Sequence, residues 1–403
     1  MNIGMILDNE FTGDNRVENE VSALQNAGYQ VYVLCLNYGK KPAVEVFNGA
    51  KIIRIPLSKK IKDKLRFLNN TVFDIYSSFW TKKIITFAKA NKIDVLHAHD
   101  LYMAKSVIAA NKKLNLKTVL DLHENYPATL VSYSWSKTLP GKLLVSQKSW
   151  ERKEAKYLPK FNKIILLSEE FKKELTIKYP QLKNKFHIYQ NYPDVKKLLS
   201  FPINKNIIQK ENDFIVFYFG AIAERRGIFT LLESLKILVR KYQNIKILLI
   251  GPVDNADKQK LNTYLTDTAL QKNIIQYNWK DIKYLPSYIY ISDVCVSPLI
   301  KNAQHESGIA NKVFQYMLFE KPLIVSNCLP QQIVVEKEKC GLVFNSGNAN
   351  DLAEKIEILY NNKEQRTAMG KNGRKAVVEK YNVEISGENL VKMYNELEKN
   401  LGH

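Results

Sequence analysis

The chain has only four cysteines in 403 residues, none in Cys-x-x-Cys spacing, which excludes a disulfide scaffold and a cysteine-rich zinc module. Cys35, Cys295, Cys328 and Cys340 lie in or beside apolar, strand-like runs, so buried reduced thiols are expected. No apolar run approaches the roughly 20 residues that span a bilayer. Met1 leads straight into Ile3-Gly4-Met5-Ile6-Leu7 with no basic leader or cleavage site, so a cytoplasmic protein is expected. Also missing are Gly-x-Gly-x-x-Gly, Gly-x4-Gly-Lys-Ser/Thr, His-Glu-x-x-His and the Asp-x-Asp pair that holds a nucleotide-bound metal. These absences remove the dinucleotide, P-loop and zinc-protease readings and predict chemistry with no cofactor and no metal. The chain also lacks short internal repeats and low-complexity tracts.

What is present is a globular composition with an uneven charge. Hydrophobic residues make up 45% of the chain, and 403 residues are too many for one compact core, so two domains are expected. The net charge is +20. Residues 1–200 carry 33 Lys and Arg against 18 Asp and Glu, whereas residues 201–403 carry 27 against 22. The basic N-terminal half would draw nucleic acid, an anionic membrane or a phosphate-bearing acceptor. A lysine-rich solvated surface is the plain alternative. Within Lys59 to Leu68, Ile61, Leu65 and Leu68 recur at helical spacing among Lys59, Lys60, Lys62, Lys64 and Arg66, as in a helix lying in a membrane interface, with Phe67, Phe79 and Trp80 adding apolar weight. Packing of those three apolar residues onto a sheet is the alternative.

Strand and helix patterns alternate along both halves. Strands are predicted at Asn2 to Leu7, Tyr29 to Leu36, Lys51 to Pro56, Val95 to Ala98, Lys117 to Leu122 and Lys163 to Ser168, with helices between them at Asn15 to Ala27 and Phe79 to Asn91. The pattern restarts at Phe214 to Gly220, and continues through Lys246 to Gly251, Ile274 to Tyr277, Val294 to Ser297 and Leu323 to Ser326. Helices are predicted at Ile228 to Tyr242, Asp257 to Leu270, Leu285 to Ile291 and Ile309 to Phe319. Such alternation makes βαβ units and parallel sheets covered on both faces. The fold class is therefore α/β, with a Rossmann-like N-terminal domain at 1–195, a second at 196–382, and a C-terminal helix at 383–403 that packs back. Tyr192 to Asn212, with Pro193 and Pro202, reads as the linker.

Doubly wound sheets bind ligands beyond the carboxyl ends of their strands, and the candidate polar residues fall there. Gly220-Ala-Ile-Ala-Glu-Arg225-Arg226-Gly227 places two guanidinium forks between a strand and a helix, suited to phosphate oxygens. Ser307-Gly308-Ile309-Ala310-Asn311-Lys312 joins a small-residue turn to a helix start, an anion site with Lys312 beside it. Together they suit a nucleotide diphosphate, with surface salt bridges as the bland alternative. Asn311 and Gln315 share one helical face and suit sugar hydroxyls. His123 follows a strand and precedes Glu124, where it would meet a substrate hydroxyl or a proton, or serve only structure. His97 and His99 alternate along a strand and are expected on opposite sides, which argues against a shared metal.

These residues resemble glycosyltransferase family 4, a GT-B family of retaining sugar transferases. Ala310-Asn311-Lys312-Val313-Phe314-Gln315-Tyr316-Met317 through Lys321-Pro322 resembles the family's Pro-Asn-Lys-x-Phe-Glu-Tyr-Met-x-x-Gly-Lys-Pro block. Gly220 with Arg226-Gly227 resembles its donor phosphate loop, and His97-Ala-His99-Asp100 and Asp121-Leu-His123-Glu124 resemble its N-terminal strand ends. The family often carries two glutamates eight apart. Here Gln315 and Ser307 stand at those positions, with Glu306 one step off, so either Glu306 or the backbone around Ser307 and Gly308 would hold the donor sugar.

The resemblance implies a GT-B fold of two Rossmann-like domains facing across a cleft. It also implies a retaining hexosyltransferase using a UDP- or GDP-linked sugar in cell-surface polysaccharide or glycolipid synthesis. His123, Arg226, Lys312 and Glu306 would be catalytic. Gly220, Arg225, Ser307, Gly308, Ile309, Asn311 and Gln315 would join Arg226 and Lys312 on the donor. Gly13, Arg16, His99 and Glu124 would face a glycan or lipid-linked acceptor. An epimerase or hydrolase of the same shape would need an acid/base carboxylate at the sugar, and a nucleic-acid-binding module has only the charge in its favour.

Overall fold

The computed structural model describes residues 1–68, 74–132, 146–208 and 212–399. The chain forms two compact units, Met1–Asn191 together with the chain from Glu384 onward, and Tyr192–Val383.

In the first unit, β1 (Asn2–Ile6), β2 (Gln30–Asn37), β3 (Val44–Phe47), β4 (Ala50–Pro56), β5 (Val95–His99), β6 (Lys117–Asp121), β7 (Lys163–Leu166) and β8 (Phe186–Ile188) form one sheet in the order β3-β4-β2-β1-β5-β6-β7-β8. Every pairing is parallel except the β3–β4 hairpin. Its turn, Asn48-Gly49, has φ of +48° and +86°, the pair of left-handed residues that a two-residue hairpin turn needs. The sequence reading missed this edge hairpin, whose Val44 and Val46 are exposed and carry no burial pattern.

The sheet strands are apolar because helices cover both faces. One cover includes the helix Asn15–Asn26, whose Val17, Val21 and Leu24 pack in a core with Leu390, Met393, Tyr394 and Leu397 of the C-terminal helix Val383–Lys399. A Cβ on Gly387 would lie 3.0 Å from the Ala23 Cβ, so the two helices meet closely there. The last helix thus packs onto the N-terminal unit.

The second unit holds β9 (Phe214–Phe219), β10 (Ile245–Ile250), β11 (Ile274–Tyr277), β12 (Val294–Ser297), β13 (Leu323–Ser326) and β14 (Gly341–Phe344), in the order β11-β10-β9-β12-β13-β14. All pairings are parallel. Strand β14 was missed from sequence because Gly341 heads it. A Cβ there would come within 2.2 Å of the Leu323 carbonyl oxygen, so close strand approach requires glycine. The segment expected as a linker belongs to this unit. It forms a helix at Val195–Ser200, and Tyr192 packs against Phe314 and Tyr381 at ring distances of 4.9 and 5.5 Å.

The order of strands reverses between β1 and β5 in one unit and between β9 and β12 in the other. A crevice outside the strand ends opens at each such switch point.

Two candidate site clusters at the strand ends

At the β9–β12 switch point the chain folds for close approach. Gly227 has φ +74°, and a Cβ on it would lie 1.6 Å from the Pro298 carbonyl oxygen. This contact presses the Glu224–Arg226 turn onto the exit from β12. The Ile300 N–H donates to the Arg225 carbonyl at 3.2 Å, tying the two loops together. Gly220 has φ +136°, and a Cβ there would sit 3.0 Å from Lys312 Nζ.

The helix carrying Lys312 runs Asn311–Leu318, starting two residues later than expected because Ala310 occupies the cap. Tyr316 fixes its position by accepting the Phe219 N–H at 2.8 Å. The Lys312 ammonium lies 3.7 Å from the centre of the Tyr218 ring, and no carboxylate pairs with it among the described residues. Burial, then the nearby Arg226 charge, pushes its pKa well below the ordinary lysine value. Arg225 lies 3.6 Å from Asp254. Arg226 Nη1 faces His305 Nε2 at 3.5 Å.

The neighbouring residues divide. Asn311 Oδ1 is buried with no hydrogen-bond partner among the described residues. Gln315 is half-buried on the same helix. Glu306 accepts the Leu329 N–H at 3.0 Å, so its carboxylate caps the helix Leu329–Glu338. Ser307 is buried and donates its hydroxyl to the Gln304 carbonyl at 2.8 Å, while Gly308 and Ile309 line the half-buried loop before the helix.

At the β1–β5 switch point, buried charges form a chain. Arg16 is buried and grips Asp121 with two bonds of 2.6 and 2.7 Å, while also donating to the Tyr189 carbonyl at 2.9 Å. It therefore holds Asp121 in place of facing an acceptor. Burial would raise the Asp121 carboxyl, but Arg16 and His123 outweigh it and hold the pKa well below the usual carboxylate range. Asp121 lies 2.8 Å from His123 Nε2, and His123 Nδ1 lies 3.8 Å from Asp100. Burial opposes the imidazolium, yet the carboxylates of Asp100 and Asp121 push its pKa up to about 10. Burial, then Asp100, pushes Glu124 up to about 7.

Asp8, just past β1, is buried beside Tyr76, whose hydroxyl donates to it, and Arg66 at 3.8 Å. Burial pushes its carboxyl up to about 6 against the pull of Arg66. Gly13 has φ +96° with open space around it, and its N–H donates to Glu18 at 2.7 Å.

His97 and His99 do not face opposite sides. Residues two apart share a strand face, and their rings stack at 4.4 Å. His99 is fully buried, with Nδ1 3.0 Å from His123 Nε2, so it touches the site through His123. Glu20, His97, His99 and Asp121 bring ligand-type atoms within 4.8 Å of one another. Arg16 already supplies a cation there, 3.2 Å from Glu20 and doubly bonded to Asp121. A metal would have to displace it. The sequence reading missed Tyr218, His305 and the inward turn of Arg66, since no spacing marks a residue whose role is to back another.

Two family models divide the chain: Glycosyltransferase Family 4 matches residues 14–196, and Glycosyl transferases group 1 matches residues 200–376. The chain belongs to glycosyltransferase family 4, and its two sheets build the GT-B fold. Among curated relatives, the capsular polysaccharide biosynthesis glycosyltransferase CapM of Staphylococcus aureus is 31% identical over 184 residues, 46% of each chain. An uncharacterized glycosyltransferase of Haemophilus influenzae is 25% identical over 378 residues, 92% of this chain and 93% of that one. The match to CapM, like that to the alpha-D-kanosaminyltransferase of Streptomyces kanamyceticus, spans about half the relative's length, 46% in both cases.

Among solved structures, sucrose-phosphate synthase from Thermosynechococcus elongatus superposes with a TM-score of 0.78 at 17% identity, covering 99% of this chain and 100% of that one. HepE of Anabaena in complex with UDP and glucose gives 0.73 at 12%, covering 98% and 100%. At these identities the likeness shows the fold. No helix among the described residues is long and apolar enough to cross a membrane.

Proposed function

We propose that this protein moves a hexose from a UDP- or GDP-linked sugar to a hydroxyl of a glycan or lipid-linked acceptor, with retention at the anomeric carbon and without a metal, in cell-surface polysaccharide or glycolipid assembly. One observation carries the reading: Arg225, Arg226 and Lys312 gather at the β9–β12 switch point, and Lys312 is buried there with no paired carboxylate among the described residues. An anion would stabilise cationic groups gathered in a desolvated place, and a diphosphate supplies two adjacent negative charges. The hard part of sugar transfer is charge developing on the leaving diphosphate, which these cations and the N–H groups opening the Asn311–Leu318 helix would stabilise.

His123, kept charged by Asp100 and Asp121, would donate to a sugar hydroxyl, and the leaving phosphate would take the acceptor's proton. Asn311 Oδ1 and Gln315 would meet donor hydroxyls. With Glu306 capping a helix, the loop backbone around Ser307 and Gly308 is the better candidate to hold the donor sugar. In this reading the protein works at the cytoplasmic face of a membrane, drawn to anionic lipid by exposed Lys59, Lys60 and Lys64. A thermal-shift screen of UDP-, GDP- and ADP-sugars tests the donor, because binding raises Tm with the logarithm of occupancy. Turnover with the donor that stabilises should persist in EDTA. Loss in EDTA with rescue by magnesium or manganese would overturn the metal-free clamp.

A further inference from the structure

His305 has been given no role beyond its approach to Arg226, yet the fold builds a place for it. It is 4% exposed, in the loop after β12 that is tied to the arginine turn through Ile300 and Gly227. Its Nδ1 lies 2.7 Å from the Ile300 carbonyl. A carbonyl can only accept, so Nδ1 carries the proton and Nε2 is left as the acceptor. Asn302 braces the same arrangement: its Nδ2 donates to that Ile300 carbonyl at 3.1 Å, and its Oδ1 accepts the His305 backbone N–H at 3.0 Å. The acceptor nitrogen faces Arg226 Nη1 at 3.5 Å. Burial, with Arg226, Arg225 and Lys312 nearby, lowers the His305 pKa to about 4, so the ring stays neutral at physiological pH.

A neutral acceptor behind an arginine does something a carboxylate would not. It fixes the direction of the guanidinium while leaving its positive charge for the ligand. Resting on the donor reading above, we propose that His305 is a positioning residue that aims Arg226 at the donor diphosphate.

The test is calorimetric titration of the full chain with UDP and with GDP, using whichever binds the wild type. His305→Ala should weaken that nucleotide about tenfold. His305→Gln, which keeps a neutral acceptor, should recover to within about threefold of wild type. His305→Glu should be weaker than His305→Ala, because its carboxylate would neutralise Arg226. In an Arg226→Ala background, His305→Ala should have no further effect.

A purely structural histidine gives another pattern: Gln and Glu equally harmful, and losses that add in the Arg226→Ala background. That pattern overturns the proposal. If His305→Ala does not fold, the Gln and Glu variants, compared at equal Tm, decide the question alone. Failure of the wild type to bind either nucleotide would overturn the donor reading itself, and is distinguishable because it precedes any substitution.

Discussion

Lys312 shows how burial prepares a residue for a ligand. Its amine sits against the face of Tyr218 and near Arg226, an environment that disfavours its charge until an anion arrives. An anion bound there favours the charged amine, so nucleotide diphosphate binding should take up protons below the ordinary lysine pKa. Titration in two buffers of different ionisation enthalpy would read the uptake, and equal heats in both would contradict it. Alanine at Lys312 or Arg226 should cost about 2–4 kcal/mol of transition-state stabilisation, the loss expected for one preorganised donor. Turnover of a folded Arg226→Ala protein within about threefold of wild type would refute the clamp.

His123 gives the opposite case. Its folded pKa of about 10 stands above the ordinary 6.5. The stability it contributes is therefore fully present below pH 6.5 and is lost as pH rises through about 10. The Tm of the wild type should fall more steeply between pH 7 and 10 than that of His123→Gln. Parallel curves would show that the imidazolium is not held by Asp100 and Asp121.

At the scale of the element, the helix Lys59–Leu68 has its basic character turned in an unexpected direction. Lys62 is buried and Arg66 lies 3.6 Å over the Tyr102 ring, while Ile61 is half exposed. Trp80, expected to add aromatic weight to a membrane face, is fully buried. The exposed cations are Lys59, Lys60 and Lys64. At about 1 kcal/mol each near an anionic surface, they support only weak, salt-sensitive binding. Lys60→Glu with Lys64→Glu should abolish sedimentation with anionic liposomes at low salt and leave Tm unchanged. No difference from wild type would leave a solvated basic face.

Apart from β3, β8 and β14, the strands of both sheets were legible because each is a short apolar run bounded by turn residues, and β11, β12 and β13 fall on the predicted residues. The faces of single helices and strands were not. Periodicity names a stripe of residues but does not say which flanking charge finds a buried partner, and Arg16 and Arg66 each found one. The glycine–arginine loop at the β9–β12 switch point was legible because glycine and arginine stand next to each other in sequence. His305 and Tyr218 were not, since their roles depend on which loops the sheet order brings together.

At the scale of the whole molecule, the cationic cluster at the β9–β12 switch point lies within one unit. Gly220, Arg225, Arg226, His305 and Lys312 all belong to Tyr192–Val383. That unit also has cores on both faces of its own sheet, around Leu231, Leu232 and Leu235 on one side and Phe314, Met317 and Val335 on the other. The other unit takes its C-terminal helix from the far end of the chain, with Leu390, Met393 and Leu397 each buried at roughly 2 kcal/mol. Cutting the chain at Val383 should thus damage the first unit and spare the second. Residues 192–383 expressed alone should fold cooperatively and gain Tm with the nucleotide that stabilises the full chain. Residues 1–383 should keep that nucleotide response yet show an early unfolding step. A folded 192–383 fragment with no nucleotide response, beside a responsive full chain, would mean that the donor site needs the first unit as well.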